Sequence, residues 1–244
     1  MPKLPLLRNF ASVFREIGGP IVLGFISLVT LVFVWIGAEI GEGETRGFDS
    51  AILLALREPG DLATPIGLPW LRPVVIDLTA LGGGVVLTLV ALVVIGSLLV
   101  RRKRIDALFL AAALGGGSAL GVVLKSGYGR ARPDVVAHLV EVTSLSFPSG
   151  HAMNSAIVYL TLGVLLARAV PDRRLKVYVL WVGVLLTLIV GMSRLYLGVH
   201  WPTDVLAGWA IGSAWAGLCW LVAERLRIRR AGSSPGFTTP TGPG

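Results

Sequence analysis

Six apolar stretches constrain the fold of this chain more than any other feature of its sequence. A transmembrane helix needs about 20 predominantly apolar residues. Runs of that kind occupy residues 20–40, 73–100, 105–124, 151–170, 177–193 and 203–223. Only 15% of the residues are charged, whereas soluble domains carry about a quarter. The sequence therefore predicts an all-α, polytopic membrane protein built as a bundle of six transmembrane helices.

The distribution of lysine and arginine predicts how this bundle is oriented. Basic residues cluster at 3–15, 101–104, 173–176 and 225–230, and six crossings place all four clusters on one side. Because cytoplasmic loops are enriched in lysine and arginine, we expect that side to be the cytoplasm and to hold both termini. The net charge of +8 is divided among these clusters, so it indicates membrane topology rather than nucleic-acid binding.

The chain divides into three parts on this interpretation. Residues 1–19 form a cytoplasmic N-terminal segment and residues 20–230 form the six-helix domain. Residues 231–244, rich in proline, glycine, serine and threonine, form a disordered tail. The single cysteine, Cys219, lies in an apolar run and is expected to be a small buried hydrophobic residue.

Two apolar or glycine-rich features need an explanation other than a span. Residues 48–56 are apolar but too short to cross, so they are expected to lie along the membrane interface. They form either one wall of a lipid entrance or an ordinary loop helix. The glycine runs at 82–84 and 115–117 are expected to permit close helix packing.

A first cluster of polar residues follows the third span, on the predicted outer side. Lys125 and Arg132 are separated by two glycines and a third cation, and Pro133 follows. The glycines favour a curled loop in which the cations converge on one anion. Arginine binds phosphate oxygens in pairs, while lysine provides a compact charge. The alternative is a basic anchor that binds lipid headgroups.

A second cluster, Ser149, Gly150 and His151, opens the fourth span. Ser149 is expected to cap the helix, and the unpaired N–H groups of its first turn, approachable at Gly150, make an anion site. His151 then lies beside the anion and can donate a proton to a leaving oxygen. The alternative is a plain capped helix with an interfacial histidine.

A third cluster, with Arg194, His200 and Asp204, joins the fifth and sixth spans. His200 and Asp204 are four residues apart, which can place them on one helix face. A carboxylate bonded to one imidazole nitrogen leaves the other a nucleophilic lone pair, and Arg194 adds a phosphate-binding cation. The alternative is that Asp204 pairs with Arg194 to neutralise charge, but ionisable groups at membrane depth favour catalysis.

All three clusters fall on the same outer side of a six-span bundle. Together they supply cations, helix N–H groups and two of the three histidines, which is what phosphoryl transfer requires. The third histidine, His138, lies in a loop between the first two clusters and is assigned no role.

The same residues resemble the signature of the type 2 phosphatidic acid phosphatase (PAP2) family. Residues 125–133 match Lys-x6-Arg-Pro, residues 148–151 match Pro-Ser-Gly-His, and residues 193–204 match Ser-Arg-x5-His-x3-Asp. The family shares this site with vanadium haloperoxidases and bacterial acid phosphatases. The predicted spans disfavour a soluble enzyme of either kind.

The resemblance implies a role for each cluster. His200 attacks phosphorus and forms a phosphohistidine, Asp204 orients His200, and His151 protonates the leaving oxygen and then activates water. No metal and no cofactor take part. The residues implied to hold the phosphoryl oxygens are Lys125, Arg132, Ser149, Gly150 and Arg194.

The resemblance also implies a lipid phosphate or pyrophosphate as substrate. In the family this means undecaprenyl pyrophosphate, phosphatidylglycerol phosphate, phosphatidic acid or diacylglycerol pyrophosphate. Short spans and loops indicate a multi-pass protein of the bacterial inner (plasma) membrane, with its site facing the periplasm or the cell exterior. Two alternatives remain open: a non-catalytic transporter or binding protein for lipid phosphates, and a PAP2-type lipid phosphotransferase.

Overall fold

Most of the described part of the chain is helical. A computed structural model describes the backbone of residues 6–232 and the side chains of residues 18–227. The α-helices in that region are α1 (Leu6–Glu42), α2 (Arg46–Ala55), α3 (Leu71–Ala80), α4 (Gly84–Val100), α5 (Arg104–Tyr128), α6 (Gly150–Ser155), α7 (Thr161–Ala169), α8 (Arg173–Tyr196) and α9 (Pro202–Gly232), and a π-helical segment, Ala156–Leu160, joins α6 to α7 in the fourth span. The predicted helical class is confirmed, with one addition: a short antiparallel hairpin of β1 (Arg57–Glu58) and β2 (Asp61–Pro65).

The predicted six-span bundle is also confirmed. Within the described residues, five helical stretches are long and apolar enough to cross a membrane, and the bent pair α3–α4 makes a sixth. Large apolar side chains point outward from these helices, as lipid-facing surfaces require; Val93 and Leu108 are each 72% exposed. The helix α9 continues to Gly232, so the tail predicted for residues 231–244 otherwise lies outside the described residues.

The second span is not the continuous helix predicted for residues 73–100. It bends by 46° between α3 and α4, at a break that contains Gly82. The hydroxyl of Tyr159 donates to the carbonyl of Leu81 across 2.7 Å, which satisfies a backbone group freed by the break. A Cβ placed on Gly82 would lie 3.3 Å from Cδ2 of His151. The break therefore brings the second span directly against this histidine.

The last helix, α9, occupies the centre of the bundle and packs against α1, α5, α6 and α8. Its glycines let the backbone of α6 approach closely. A Cβ on Gly208 would lie 2.8 Å from the carbonyl oxygen of Ser149, and one on Gly212 would lie 2.6 Å from that of Met153. As a result, the first turns of α6 and α9 lie side by side.

Different contacts hold the elements together at the two ends of the bundle. At one end, the buried guanidinium of Arg57 donates to the carbonyls of Tyr196 and Ala137, each across 3.1 Å. These bonds fasten the hairpin to the loop after α5 and to the end of α8. At the other end, Arg168 pairs with Glu224 and Arg227 pairs with Asp106, each at 2.9 Å. The hairpin, the loop after α5 and the end of α8 are thus gathered at one end of the bundle.

Candidate active site

Residues from all three sequence clusters meet at the end of the bundle that holds the hairpin. The backbone N–H of Ser149 donates to the carbonyl of Asp204 across 3.0 Å, which joins the start of α6 to the start of α9. A Cβ on Gly150 would lie 3.6 Å from Cε of Lys125. The guanidinium of Arg132 lies 3.2 Å from Nε2 of His200. The predicted convergence of the clusters is therefore present in the fold.

His200 lies in the loop between α8 and α9 and is only 2% exposed. Its Nδ1 is 3.4 Å from Oδ2 of Asp204; the two side chains meet as expected, but only Asp204 belongs to the helix. Its Nε2 faces the guanidinium of Arg132. Because a guanidinium can only donate, Nε2 must accept, and the ring proton is on Nδ1. The geometry thus fixes the neutral tautomer, with the lone pair of Nε2 directed at a cation.

The surroundings of His200 favour this uncharged form. Burial lowers the pKa of His200 to about 4, although the carboxylate of Asp204 acts in the opposite direction. The positive charges of Arg132 and Arg194 lower it further. At neutral pH the imidazole is therefore unprotonated on Nε2.

The carboxylate of Asp204 is fully buried and accepts bonds from several directions. Its Oδ2 accepts from the backbone N–H of Trp201 across 2.9 Å and from the hydroxyl of Ser146. Its Oδ1 accepts from Arg130 across 2.7 Å. The alternative pairing of Asp204 with Arg194 is not formed, because the guanidinium of Arg194 instead donates to Thr79 of α3 across 3.0 Å.

The three predicted phosphate-binding cations are held mainly by protein carbonyls and hydroxyls. Nζ of Lys125 donates to the carbonyl of Leu145 across 2.6 Å. Arg132 donates to the carbonyls of Ser144 and Val199 at 2.7 Å and 2.5 Å. None of these three side chains is paired with a carboxylate among the described residues. Their positive charge is therefore available to an anion.

Ser149 departs in one respect from the prediction. It is the N-cap residue of α6, but its side chain makes no capping hydrogen bond. Its Oγ is buried without a partner in the protein, and so is Nε of Arg194. Buried polar atoms of this kind are costly unless they are satisfied. Both lie on residues predicted to bind phosphate, and phosphoryl oxygens are suitable partners for an O–H and an N–H donor.

His151 lies in the first turn of α6, against the break in the second span. Its side chain makes no hydrogen bond to another described residue. Its electrostatic neighbours are His200 and three cations, Lys125, Arg132 and Arg194. In contrast, the exposed ring of His138 lies 2.8 Å from the carbonyl of Pro133 through Nε2, in the loop as predicted.

The sequence reasoning missed several residues that surround Asp204. Ser146 and Arg130 bond to its carboxylate, and Asp49 of α2 bonds to Arg130 across 2.7 Å. A signal was present for two of them: Arg130 lies within the first cluster, and Asp49 interrupts a largely apolar segment. The segment 48–56 is helical over most of its length, with Phe48 54% exposed and Asp49 fully buried.

Comparison with protein families matches residues 106–228 to the PAP2 superfamily. Phosphatidylglycerophosphatase B of Bacillus subtilis (strain 168) is 36% identical over 184 residues, which is 75% of this chain and 86% of that protein. Undecaprenyl-diphosphatase of Sulfolobus acidocaldarius is 40% identical over 72 residues, 29% of this chain and 30% of that protein.

A solved structure extends the likeness to the fold. The crystal structure of a transmembrane PAP2-type phosphatidylglycerolphosphate phosphatase from Bacillus subtilis superposes with a TM-score of 0.75 at 33% sequence identity. The match covers 82% of this chain and 96% of that one. The family model matches half of the chain. The alignment with phosphatidylglycerophosphatase B covers 86% of that protein. The chain therefore belongs to the PAP2 superfamily and is a membrane phosphatase of that family.

Proposed function

We propose that this membrane lipid phosphatase hydrolyses a lipid phosphomonoester or pyrophosphate through a phosphohistidine at His200. The observation that carries the proposal is the contact between Arg132 and Nε2 of His200 across 3.2 Å. A cation that binds a phosphoryl oxygen at this place also brings phosphorus to the lone pair of Nε2. On the far side of the ring, Asp204 holds the Nδ1 proton and stabilises the positive charge that develops during attack.

His151 acts as acid and then as base. Binding of the phosphate anion offsets the neighbouring cations and lets His151 take up a proton. In the first step Nε2 of His200 bonds to phosphorus, the bond from phosphorus to the lipid oxygen breaks, and His151 gives that oxygen its proton. In the second step His151 takes a proton from water, whose oxygen attacks phosphorus and displaces Nε2. Inorganic phosphate leaves, and both histidines return to their initial protonation states.

Lys125, Arg132 and Arg194 hold the phosphoryl oxygens and stabilise the charge that accumulates on them. Ser149 Oγ and the free N–H groups at the start of α6, including that of Gly150, complete the binding site. The buried and unpartnered Ser149 Oγ and Arg194 Nε support this assignment. We propose that these cations take the place of a metal ion.

An apolar groove supports a lipid as the substrate. It encloses about 250 Å³ between α4, α5 and the fourth span. Asn154, one helical turn after His151, lines it together with Gly115 of α5 and several leucines and isoleucines. A hydrocarbon chain in this groove would lie within the bilayer, with its phosphate at the level of His151. We infer that the groove holds the part of the lipid tail next to the phosphate.

Among the lipids, we place phosphatidylglycerol phosphate first. The relative named phosphatidylglycerophosphatase B is matched over 86% of its length, far more than the undecaprenyl-diphosphatase, which is matched over 30%. Undecaprenyl pyrophosphate is the second candidate, followed by phosphatidic acid and diacylglycerol pyrophosphate. We infer a location in a bacterial plasma membrane, with residues 20–230 as the phosphatase domain. The basic clusters face the cytoplasm and the site faces outward.

The test is phosphate release by the purified full-length protein from each of these lipids, in the presence of EDTA. Wild type is compared with His200→Ala and His151→Ala, and His138→Ala, at an exposed loop histidine, serves as the matched control. We expect release by wild type and the control, and loss of it in the other two variants. With a ³²P-labelled substrate, quenched wild type should carry acid-labile, base-stable label that His200→Ala lacks.

Each other outcome points to a different function. Release by His200→Ala at the wild-type rate would contradict the phosphohistidine. Binding of lipid phosphates without release from any of them would favour a transporter or binding protein. Label that appears on a second lipid rather than in inorganic phosphate would identify a phosphotransferase. Loss of release in EDTA that returns with a divalent cation would overturn the metal-free mechanism.

A further inference from the structure

Arg130 connects two buried carboxylates that come from distant parts of the chain. It donates to Oδ1 of Asp204 and to Oδ2 of Asp49, each across 2.7 Å. Both carboxylates are fully buried, and the guanidinium is only 13% exposed. The planar fork of arginine offers separate N–H groups to the two partners, which a lysine cannot do in the same geometry. The bridge therefore fixes Asp49 and Asp204 relative to each other.

Asp49 also holds the beginning of α9. Its Oδ1 accepts from the backbone N–H of Thr203 across 2.9 Å, and its Oδ2 accepts from the hydroxyl of Thr203 across 2.7 Å. That hydroxyl in turn accepts from Arg130 across 2.8 Å. A carboxylate is favourable at a helix N-terminus, where the N–H groups lack partners. Thus α2 supplies a cap to α9 from 154 residues away in the sequence.

Asp204 lies in the same first turn of α9 and is bound on both of its oxygens. Oδ2 faces Nδ1 of His200 and accepts from the backbone N–H of Trp201, while Oδ1 faces Arg130. Without the contact on Oδ1 the carboxylate would be held through Oδ2 alone, by Trp201 and Ser146, and its orientation toward the imidazole would be less constrained. The orientation of Asp204, and through it that of His200, therefore depends on Arg130 and on Asp49 behind it.

We propose that Asp49 and Arg130 are positioning residues of the reaction, acting on His200 through Asp204. This inference rests on the proposed function of His200 and Asp204. It makes α2 part of the catalytic apparatus, although none of its residues belongs to the three sequence clusters. The helix turns its buried acidic side to α9 and leaves Phe48 and Leu54 exposed, at 54% and 41%.

The decisive variant is Asp49→Asn, which keeps the shape and removes the charge. Both oxygens of Asp49 accept from donors, so an amide places an N–H group against a donor in either orientation. The matched control is Asp134→Asn. Asp134, in the loop after α5, pairs at 3.2 Å with Arg46, which belongs to α2 like Asp49. Both side chains of this pair are more than two-thirds exposed. The control therefore removes another tether of α2 without touching Asp204.

We expect Asp49→Asn to lower kcat for phosphate release at least tenfold while KM changes less than twofold. The expectation follows because misplacing a reacting group by about 1 Å can cost about 100-fold in rate. Arg130→Lys should lower kcat to a similar extent. The kcat of the double variant should be no lower than that of the less active single variant, because both residues act through Asp204. Asp134→Asn should match wild type. Thermal unfolding in detergent gives the folded fraction, to which every kcat is normalised.

Three results would overturn the proposal while leaving the function of His200 intact. The first is a normal kcat of folded Asp49→Asn in a preparation where His200→Ala is inactive. The second is a double variant whose losses multiply, which would indicate independent effects on structure. The third is an equal loss in Asp134→Asn. If wild type itself releases no phosphate, the proposed function fails and not this inference alone.

Discussion

Gly82, at the break of the second span, lies directly against the imidazole of His151. A Cβ at this position would stand 3.3 Å from Cδ2 and 3.4 Å from Cβ of His151, and would overlap Cγ1 of Val190. Val190 is fully buried and has no free space into which to withdraw, so the strain would also reach the imidazole of His151. The absence of a side chain at residue 82 is therefore a requirement of the site.

Gly82→Ala should accordingly destabilise the protein and lower its rate of phosphate release. Overpacking of this kind costs about 1–3 kcal/mol, and the displaced ring is the one proposed to protonate the leaving oxygen. Gly96→Ala is the control, because Gly96 lies within α4 and a Cβ there meets no atom within 4 Å. It should be neutral or stabilise by about 0.5–1 kcal/mol. Thermal unfolding in detergent and release assays on both variants check the pair; equal behaviour would contradict it.

Arg132→Lys should be strongly deleterious although it preserves the charge. A lysine cannot donate at once to Nε2 of His200 and to the carbonyls of Ser144 and Val199, nor bind phosphate in a bidentate manner. Loss of a donor that stabilises transition-state charge costs about 10²–10³ in rate. We expect a fall of that size in kcat/KM for phosphate release. Arg46→Lys, at an exposed arginine of α2, should leave the rate unchanged.

The depressed pKa of His200 predicts the acidic side of the pH profile. Protonation of Nε2 removes the nucleophilic lone pair, so the rate falls as the pH falls through the pKa. Burial lowers this pKa to about 4, whereas an ordinary histidine titrates near 6.5. The acidic midpoint of kcat/KM, which reports the free enzyme, should therefore lie below about pH 5. A midpoint near 6.5 would mean that His200 is not held as the buried, neutral tautomer.

The sequence allowed the meeting of the three clusters at one end of the bundle to be predicted, because each cluster follows or opens a span. His200 and Asp204 are four residues apart, and their side chains meet as predicted, although His200 lies in the loop before α9 and not on the face of that helix. Ser149 likewise had to begin a helix after Pro148. The six spans followed from composition, since in lipid each must be a continuous or nearly continuous helix.

The groups behind Asp204 could not be predicted in the same way. The bond from Asp49 to Thr203 joins residues 154 positions apart, and no local pattern specifies which carboxylate meets which helix end. The bend in the second span was missed for a related reason. Gly82 was taken as a sign of close packing, which is correct for its contact with Val190, but the break depends on Tyr159 from another span.

Gly115→Leu should distinguish lipid substrates from soluble ones. A side chain at this position would enter the groove between α4 and α5, where a Cβ meets no protein atom within 4 Å. The variant should slow phosphate release from long-chain lipids and leave the rate on a water-soluble, short-chain phosphate ester unchanged. Ala112→Leu, on α5 but outside the groove, should affect neither. Equal slowing on both substrates by Gly115→Leu would indicate damage to the site rather than a blocked tail.

The orientation of the bundle can be tested with single cysteines on either end, after Cys219→Ala removes the native thiol. Thr143 is exposed in the loop between α5 and α6, on the side of the site, and Lys103 is exposed between α4 and α5. Lysine and arginine are retained on the cytoplasmic side, and Lys103 belongs to a run of four basic residues. In sealed spheroplasts, an impermeant maleimide should therefore label Thr143→Cys at once and Lys103→Cys only after permeabilisation.

Phosphate release by both variants must match wild type, so that labelling reports the native topology. The opposite labelling pattern would place the site in the cytoplasm, where a lipid phosphate of the inner leaflet would be its substrate.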